Sequence, residues 1–331
     1  MAVLAGDIGG TKTLLQIADF ARNTYRVIIE RRYINQAYDD FTAVVNEFMQ
    51  AAAGRITRLS LTLDAACFGV AGPINVTPTG QHTHLTNLPW TLDSTVLSHL
   101  LNIPKVRLIN DFQAVGYGIE ALAPADFRNL HTGELRPRAT RALIGAGTGL
   151  GEGLLVWQQD HYEVLAAEGG HVDFAPTDEL QIALLRHLMQ RFPRVSYERI
   201  LSGRGLVNLY DFLHSHAFDS TSRIPEPSDP AALTSAALAN TDPLANQALD
   251  LFISVYGAQA GNLALTVLAA GGVYIAGGIA PKIIDRLADG AFMRAFLNKG
   301  RLSPFLATVP VQVIMNPKAG LMGAALAANR L

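Results

Sequence analysis

Val3-Leu4-Ala5-Gly6-Asp7-Ile8-Gly9-Gly10-Thr11-Lys12-Thr13-Leu14-Leu15-Gln16-Ile17-Ala18 is the stretch whose reading sets the architecture. Val3, Leu4 and Ala5 form a short apolar strand, and residues 14–18 form its return. Between them Gly6, Gly9 and Gly10 mark a tight turn. Glycines in such a turn let backbone N–H groups gather on an anion, because no Cβ blocks the approach. Asp7 at the strand end is placed to orient a hydrated Mg²⁺, and the Thr11 hydroxyl to bond a phosphate oxygen. The turn lacks the Gly-x-x-x-x-Gly-Lys-[Ser/Thr] spacing of the common nucleotide loop and also lacks Gly-x-Gly-x-x-Gly, which disfavours dinucleotide binding. Taken alone, a plain hairpin turn accounts for these residues equally well.

Working outward, the same unit recurs. Residues 141–144 read as a strand, Gly145-Ala146-Gly147-Thr148-Gly149-Leu150-Gly151 as a second glycine turn, and residues 154–157 as the return strand. Two strand–turn–strand units, near residues 3–18 and 141–157, lead to the expectation of two similar lobes facing each other across a cleft. A third glycine segment, Gly271-Gly272-Val273-Tyr274-Ile275-Ala276-Gly277-Gly278-Ile279-Ala280-Pro281, holds a short buried strand between glycine pairs. Such a strand lets a flat group such as an adenine ring lie against backbone, and tight core packing is the plainer alternative.

Apolar residues at helical spacing predict a helix over residues 41–53 (Phe41, Val44, Val45, Phe48, Met49). Residues 63–70 and 106–109 read as buried strands, the latter followed by Asn110-Asp111 and a helical run. Residues 180–191, 206–214, 244–270 and 281–287 read as helices, 218–230 as a polar surface loop, and 320–329 as an alanine-rich terminal helix. Its small residues suit close packing on the N-terminal lobe.

Hydrophobic residues make up 49% of the 331 and charged residues 16%, a composition for well-buried cores and not for a disordered chain. With 26 basic and 28 acidic residues the net charge is −2, which offers no electrostatic case for nucleic acid or an anionic membrane. The apolar stretch 264–280 is interrupted by Gly271, Gly272, Gly277 and Gly278, so a membrane span is not expected. Met1-Ala2-Val3-Leu4-Ala5 has no basic segment, so no signal peptide is expected and the location is read as cytoplasmic. Cys67 is the single cysteine, which precludes an intrachain disulfide or a cysteine metal cluster; its apolar neighbours predict a buried, inert thiol.

The combination of Asp7-x-Gly-Gly-Thr, Asn110-Asp111, Gly145-x-Gly-Thr-Gly and the segment 271–281 resembles the hexokinase, actin and Hsp70 superfamily. Within it the chain resembles the bacterial glucokinases. The carrying residues are Leu85-Thr86-Asn87-Leu88-Pro89-Trp90, Ile109-Asn110-Asp111-Phe112, Glu168-Gly169-Gly170-His171, Ser196-Tyr197-Glu198-Arg199-Ile200-Leu201-Ser202-Gly203 and Gly261-Asn262-Leu263-Ala264-Leu265. The match runs in family order from Gly6 to about Gly323. The related repressor and sugar-kinase family carries a cysteine-rich zinc segment after its Glu-x-x-Gly-His stretch. Here Val172-Asp173-Phe174-Ala175-Pro176 follows, so the resemblance is to the zinc-free glucokinases, with no protein-bound metal site.

That resemblance implies an α/β fold of two ribonuclease H-like lobes with a cleft between them. The expected domains are residues 1–121 with 312–331, and residues 122–311. It implies an ATP-dependent phosphotransferase acting on an alcohol group, a glucokinase making glucose 6-phosphate at the first step of glycolysis, with ATP and Mg²⁺ and as a homodimer. Asp111 would take the proton from the sugar 6-hydroxyl as that oxygen attacks the γ-phosphorus, and chemistry agrees, since phosphoryl transfer is mainly positioning and charge neutralisation. Asp111 also fits the N-cap of the following helix. Asn87, Asn110, Glu168, His171 and Glu198 would join Asp111 in holding the sugar hydroxyls. Gly6, Asp7, Ile8, Gly9, Gly10, Thr11, Lys12, Gly145, Gly147, Thr148, Gly149, Gly277 and Gly278 would hold ATP. A kinase of another hexose is the nearest alternative. An ATP-gated interaction protein or a sugar-responsive repressor is less well served, since no substrate-binding domain or helix-turn-helix segment is apparent.

Overall fold

The computed structural model describes residues 1–21, 24–85, 88–216 and 229–331. The first elements are β1 (Ala2–Ile8), β2 (Lys12–Ala21), β3 (Thr24–Ile34), α1 (Phe41–Arg58), β4 (Leu63–Val70), β5 (Asn75–Thr77), β6 (Gly80–His84), β7 (Thr91–Asp93), α2 (Ser94–Leu101), β8 (Lys105–Asn110) and α3 (Asp111–Gly118). There follow β9 (Phe127–His131), β10 (Arg141–Ala146), β11 (Leu150–Gln158), β12 (His161–Ala167), α4 (Glu179–Met189), α5 (Gly203–His216), α6 (Pro230–Leu238) and α7 (Pro243–Thr266). The chain ends with β13 (Val273–Ala276), α8 (Ile284–Leu287), α9 (Ala291–Leu297), α10 (Ser303–Leu306), β14 (Val311–Ile314) and α11 (Ala319–Asn329). Two compact units result: Met1–Asp126 with Asn316–Leu331, and Phe127–Met315.

The first unit is built on a sheet of order β3-β2-β1-β4-β8, an antiparallel meander continued by two strands parallel to β1. Val3, Leu4 and Ala5 are fully buried because helices cover both faces of a parallel strand, which is why it reads as an unbroken apolar run. On one face α1 presents Phe41, Val44, Val45 and Phe48 to Leu4, Ile17 and Phe68. Asp40 caps that helix, accepting from the Ala43 N–H at 2.8 Å. The helix runs past the expected end at residue 53, through Gly54, because Ile56 continues the apolar stripe and packing overrides the glycine. α11 packs against α3 and β1 with Ala324, Ala325, Ala327 and Ala328 buried. Cys67, in the middle of β4, is fully buried, and burial pushes its thiol up to about 12. A small side sheet, β5-β6-β7, had no clear signal in the sequence.

The second unit repeats the plan. Its sheet has the order β12-β11-β10-β13-β14-β9, again an antiparallel meander continued by two strands parallel to β10, with β9 added at the edge. Helix α7 runs through the core, burying Phe252, Ile253, Tyr256 and Ala260. Because β14 pairs with both β13 and β9, residues 311–314 lie in this unit, and the chain crosses back at 315/316. The other crossing falls at 126/127, where Asn316 Nδ2 donates to Asp126 Oδ1 at 3.1 Å. The helix expected over 281–287 is a short turn followed by α8, and most of the loop expected over 218–230 lies outside the described residues. Among the described residues no helix is long and apolar enough to cross a membrane.

Candidate active site

In the first unit the three parallel strands end together. Register aligns Asp7 with Gly69 and Gly69 with Ile109, then Ile8 with Val70 and Val70 with Asn110. The glycine turn and the Asn110-Asp111 pair therefore leave the sheet at one carboxyl edge, where open α/β sheets place ligands. The two acidic groups feel each other. Burial, and then the charge of Asp111, raises the Asp7 carboxyl to about 6, while Lys12 pulls it down.

Asn110, not Asp111, is the N-cap of α3. The Asn110 Oδ1 accepts from Phe112 N–H at 2.9 Å and Gln113 N–H at 3.3 Å. Asp111 is the first helical residue, its Oδ1 2.8 Å from the same Phe112 nitrogen. The capping role that its position seemed to allow thus belongs to its neighbour. Capping occupies the Asn110 carbonyl oxygen and leaves the amide as its donor side.

Of the other residues expected at this turn, Gly6 is paired inside β1 and the Ile8 side chain is in the core. The turn proper is Gly9-Gly10-Thr11, with the Gly9 N–H donating to Lys12 O at 3.1 Å and with Thr11 and Lys12 exposed. A residue that sequence reasoning missed braces it. Asn35, 1% exposed, donates from Nδ2 to Gly9 O at 2.8 Å and from its backbone N–H to Thr11 O at 3.0 Å, and accepts from the buried Thr13 hydroxyl at 2.8 Å. Nothing local announces it, because its partners lie across the sheet from the end of β3.

The second unit gathers a different set. The Gly147-Thr148-Gly149 turn is closed by Gly147 N–H to Gly149 O at 2.8 Å and tied to α5 by Gly203 N–H to Gly147 O at 2.9 Å. Glu198 reaches this turn as well: its Oε2 accepts from Leu150 N–H at 3.0 Å, and a Cβ on Gly149 would stand 2.5 Å from that oxygen. Glu168 and His171 flank a short helical turn at Gly169–His171, their Oε2 and Nε2 3.9 Å apart and both exposed. That turn and the next one, Tyr197–Arg199, are joined by Tyr197 N–H to Val172 O at 3.1 Å and Phe174 N–H to Val195 O at 2.9 Å.

Gly147, Thr148 and Gly278 line a cavity of about 820 Å³ to which Arg204, Ser235 and Lys282 also contribute. Its size is that of a small-molecule site. Gly145 lies within β10 and Gly277 packs beside Ala146, so both shape the strand ends without lining the cavity. Asn87, the remaining expected ligand, lies outside the described residues. Among the described residues no group of three or more histidine, cysteine or acidic side chains is arranged to hold a metal ion.

A duplicated sheet with a glycine turn in each half, one beside paired carboxylates and the other beside a ligand-sized cavity, defines a sugar kinase of the two-lobed actin-like type, a phosphotransferase with an alcohol acceptor. The family model described as Glucokinase matches residues 4–331. The glucokinase of Nostoc punctiforme is 43% identical over 99% of either chain. Among solved structures, the glucokinase of an Antarctic psychrotroph has a TM-score of 0.87 at 28% identity, covering 100% of this chain and 99% of that one. A glucokinase from Balamuthia mandrillaris in complex with glucose shares the fold at a TM-score of 0.78 and 22% identity, covering 100% and 94%. The chain belongs to the glucokinase family.

Proposed function

We propose that this chain transfers the γ-phosphoryl group of ATP to the 6-hydroxyl of D-glucose, with Asp111 as general base. The observation that carries this reading is the placement of Asp111 and the Gly9-Gly10-Thr11 turn at one sheet edge, a proton acceptor beside a phosphate cradle. The O6–H proton passes to the Asp111 carboxylate as O6 bonds to the γ-phosphorus, and the bond to the bridging oxygen breaks to leave ADP. Asn110, Asp111, Glu168, His171 and Glu198, with Asn87, hold the sugar hydroxyls. A site built of amides, carboxylates and imidazole rejects analogues that lack the matching hydroxyls.

The nucleoside end of ATP occupies the cavity bordered by Gly147, Thr148 and Gly278, where Arg204 and Lys282 supply positive charge near the phosphates. Asp7 and Asp111 repel each other and suit a cation arriving with the nucleotide. Mg²⁺ bound there would neutralise phosphate charge, with Asp7 the residue to orient it through water. We further propose a zinc-free, cytoplasmic enzyme acting as a homodimer, its two units serving as the small and large domains.

The test is ADP release measured with and without glucose, and with a panel of hexoses and phosphoryl donors ranked by kcat/KM. Glucose with ATP should lead. D111A and D111N should lower kcat by about 10²–10⁴-fold, the range for a lost general base. Glucose should still bind these variants, as read from Trp90 and Trp157 fluorescence. Normal turnover in D111N would remove Asp111 from the role, and ADP release independent of any sugar would end the kinase reading.

A further inference from the structure

Glu152 is a buried acid that the proposed reaction does not use. It lies on β11 opposite Ala167 and is 4% exposed. Its Oε1 accepts from Gln259 Nε2 at 2.8 Å, both groups buried. Gln259 Oε1 in turn accepts from Asn262 Nδ2 at 3.2 Å, and the same Nδ2 lies 3.1 Å from the Tyr197 hydroxyl. Tyr197 opens the turn that carries Glu198. At its other oxygen, Glu152 packs so closely beneath Gly169 that a Cβ there would land on Oε2. Gly169 stands next to Glu168 and opens the turn that carries His171.

A single carboxylate thus supports one turn directly and reaches the other through two amides. Burying it is costly, and burial raises it above the usual carboxylate range while the Gln259 amide opposes the rise. A neutral apolar pair would fill this space more cheaply, so its placement under both turns points to a task there.

We infer that Glu152 is the positioning residue of the sugar site: with Gln259 and Asn262 it fixes the Glu168–His171 turn against the Tyr197–Arg199 turn and so sets the affinity for the hexose. The inference rests on the glucokinase reading above. It predicts that weakening the chain loosens sugar binding while nucleotide binding, governed by other residues, stays put.

The test uses the whole chain with E152L, which removes the oxygen that accepts from Gln259, and with E152Q, which keeps it. E152L should raise the glucose KM about tenfold, with kcat and the ATP KM within about threefold of the unaltered enzyme, and E152Q should recover most of the loss. If E152L does not fold, N262A breaks the same chain at its Tyr197 end and is read in the same way. A glucose KM unmoved in the folded variant, an equal rise in the ATP KM, or no recovery in E152Q each overturns the inference. Absence of glucose-dependent ADP release from the unaltered chain overturns the glucokinase reading instead, so the two failures are distinguishable.

Discussion

Glu198 Oε2 accepts the Leu150 N–H at 3.0 Å, which ties an expected sugar ligand to the exit of the second glycine turn. That bond commits one carboxylate oxygen of Glu198 to the backbone. Gly149 makes the approach workable, since a methyl group there would stand 2.5 Å from Oε2. Gly149→Ala should therefore push the carboxylate aside instead of unfolding the turn, because the crowded atom ends a flexible side chain. Loss of a bond to a charged acceptor, about 1.5–3 kcal/mol, corresponds to a rise of roughly tenfold or more in the glucose KM. Steady-state kinetics on glucose would check this, and an unchanged KM would show that Glu198 is not placed by this contact.

Asn35 braces the turn proposed to hold the nucleotide, so its loss should act on that substrate alone. In Asn35→Ala the Thr13 hydroxyl, fully buried, and the Gly9 carbonyl both lose their side-chain partner. The orphaned, buried Thr13 hydroxyl costs about 1–3 kcal/mol and the half-buried Gly9 carbonyl less, so the melting temperature should fall by several degrees. The ATP KM should rise while the glucose dissociation constant moves little. Calorimetric melting and titration with each substrate would test the separation; equal weakening of both ligands would contradict it.

The two glycine turns, the strands around them and the buried state of Cys67 were legible because apolar runs and glycine clusters are local signals. The strand order repeated in the two sheets was only suggested, since pairing partners are far apart in sequence: β10 lies beside β13, whose Val273 aligns with Ala142. Asp111, the proposed base, could be singled out in the sequence, but its relation to the helix cap could not, because Asn110 and Asp111 differ only in which side chain turns back to the first helical N–H groups. Asn35 and Glu152 were missed for one reason. Each acts through partners brought close by the fold, Gly9 in one case and Gln259 and Gly169 in the other. Ile8, which the resemblance places among the ATP residues, has its side chain in the core, which leaves only its backbone for that role.

Asn110 caps α3 and is proposed to hold a sugar hydroxyl, two tasks that substitution can separate. Asn110→Ala removes both the cap of α3 and the amide, and should cost about 1 kcal/mol of stability together with sugar affinity. Asn110→Ser keeps a capping oxygen for the Phe112 and Gln113 N–H groups but has no amide to offer. Its melting temperature should match the parent protein while the glucose KM rises. A serine variant with parent-like kinetics would assign Asn110 to the helix alone.

Asp7 carries a stability cost that should be measurable without any substrate. Its carboxyl is raised from 3.8 to about 6, first by burial and then by Asp111. The folded chain therefore binds this proton more tightly than the unfolded chain, and stability contributed by this group falls as pH rises between those values. Above about pH 6 the penalty is fully present; below about pH 4 it is gone. At about 1.4 kcal/mol per pKa unit the displacement corresponds to at most ~3 kcal/mol, less where solvent reaches the group. Asp7→Asn should accordingly melt several degrees above the parent protein at pH 7.5, and that advantage should shrink on going to pH 5. The same substitution should abolish productive use of MgATP, because the residue that destabilises the free protein is the one assigned to the cation. Thermal melts at the two pH values, paired with ADP-release assays, decide the matter: a variant no more stable than its parent at pH 7.5 would show that the Asp7 charge is already relieved in the free enzyme.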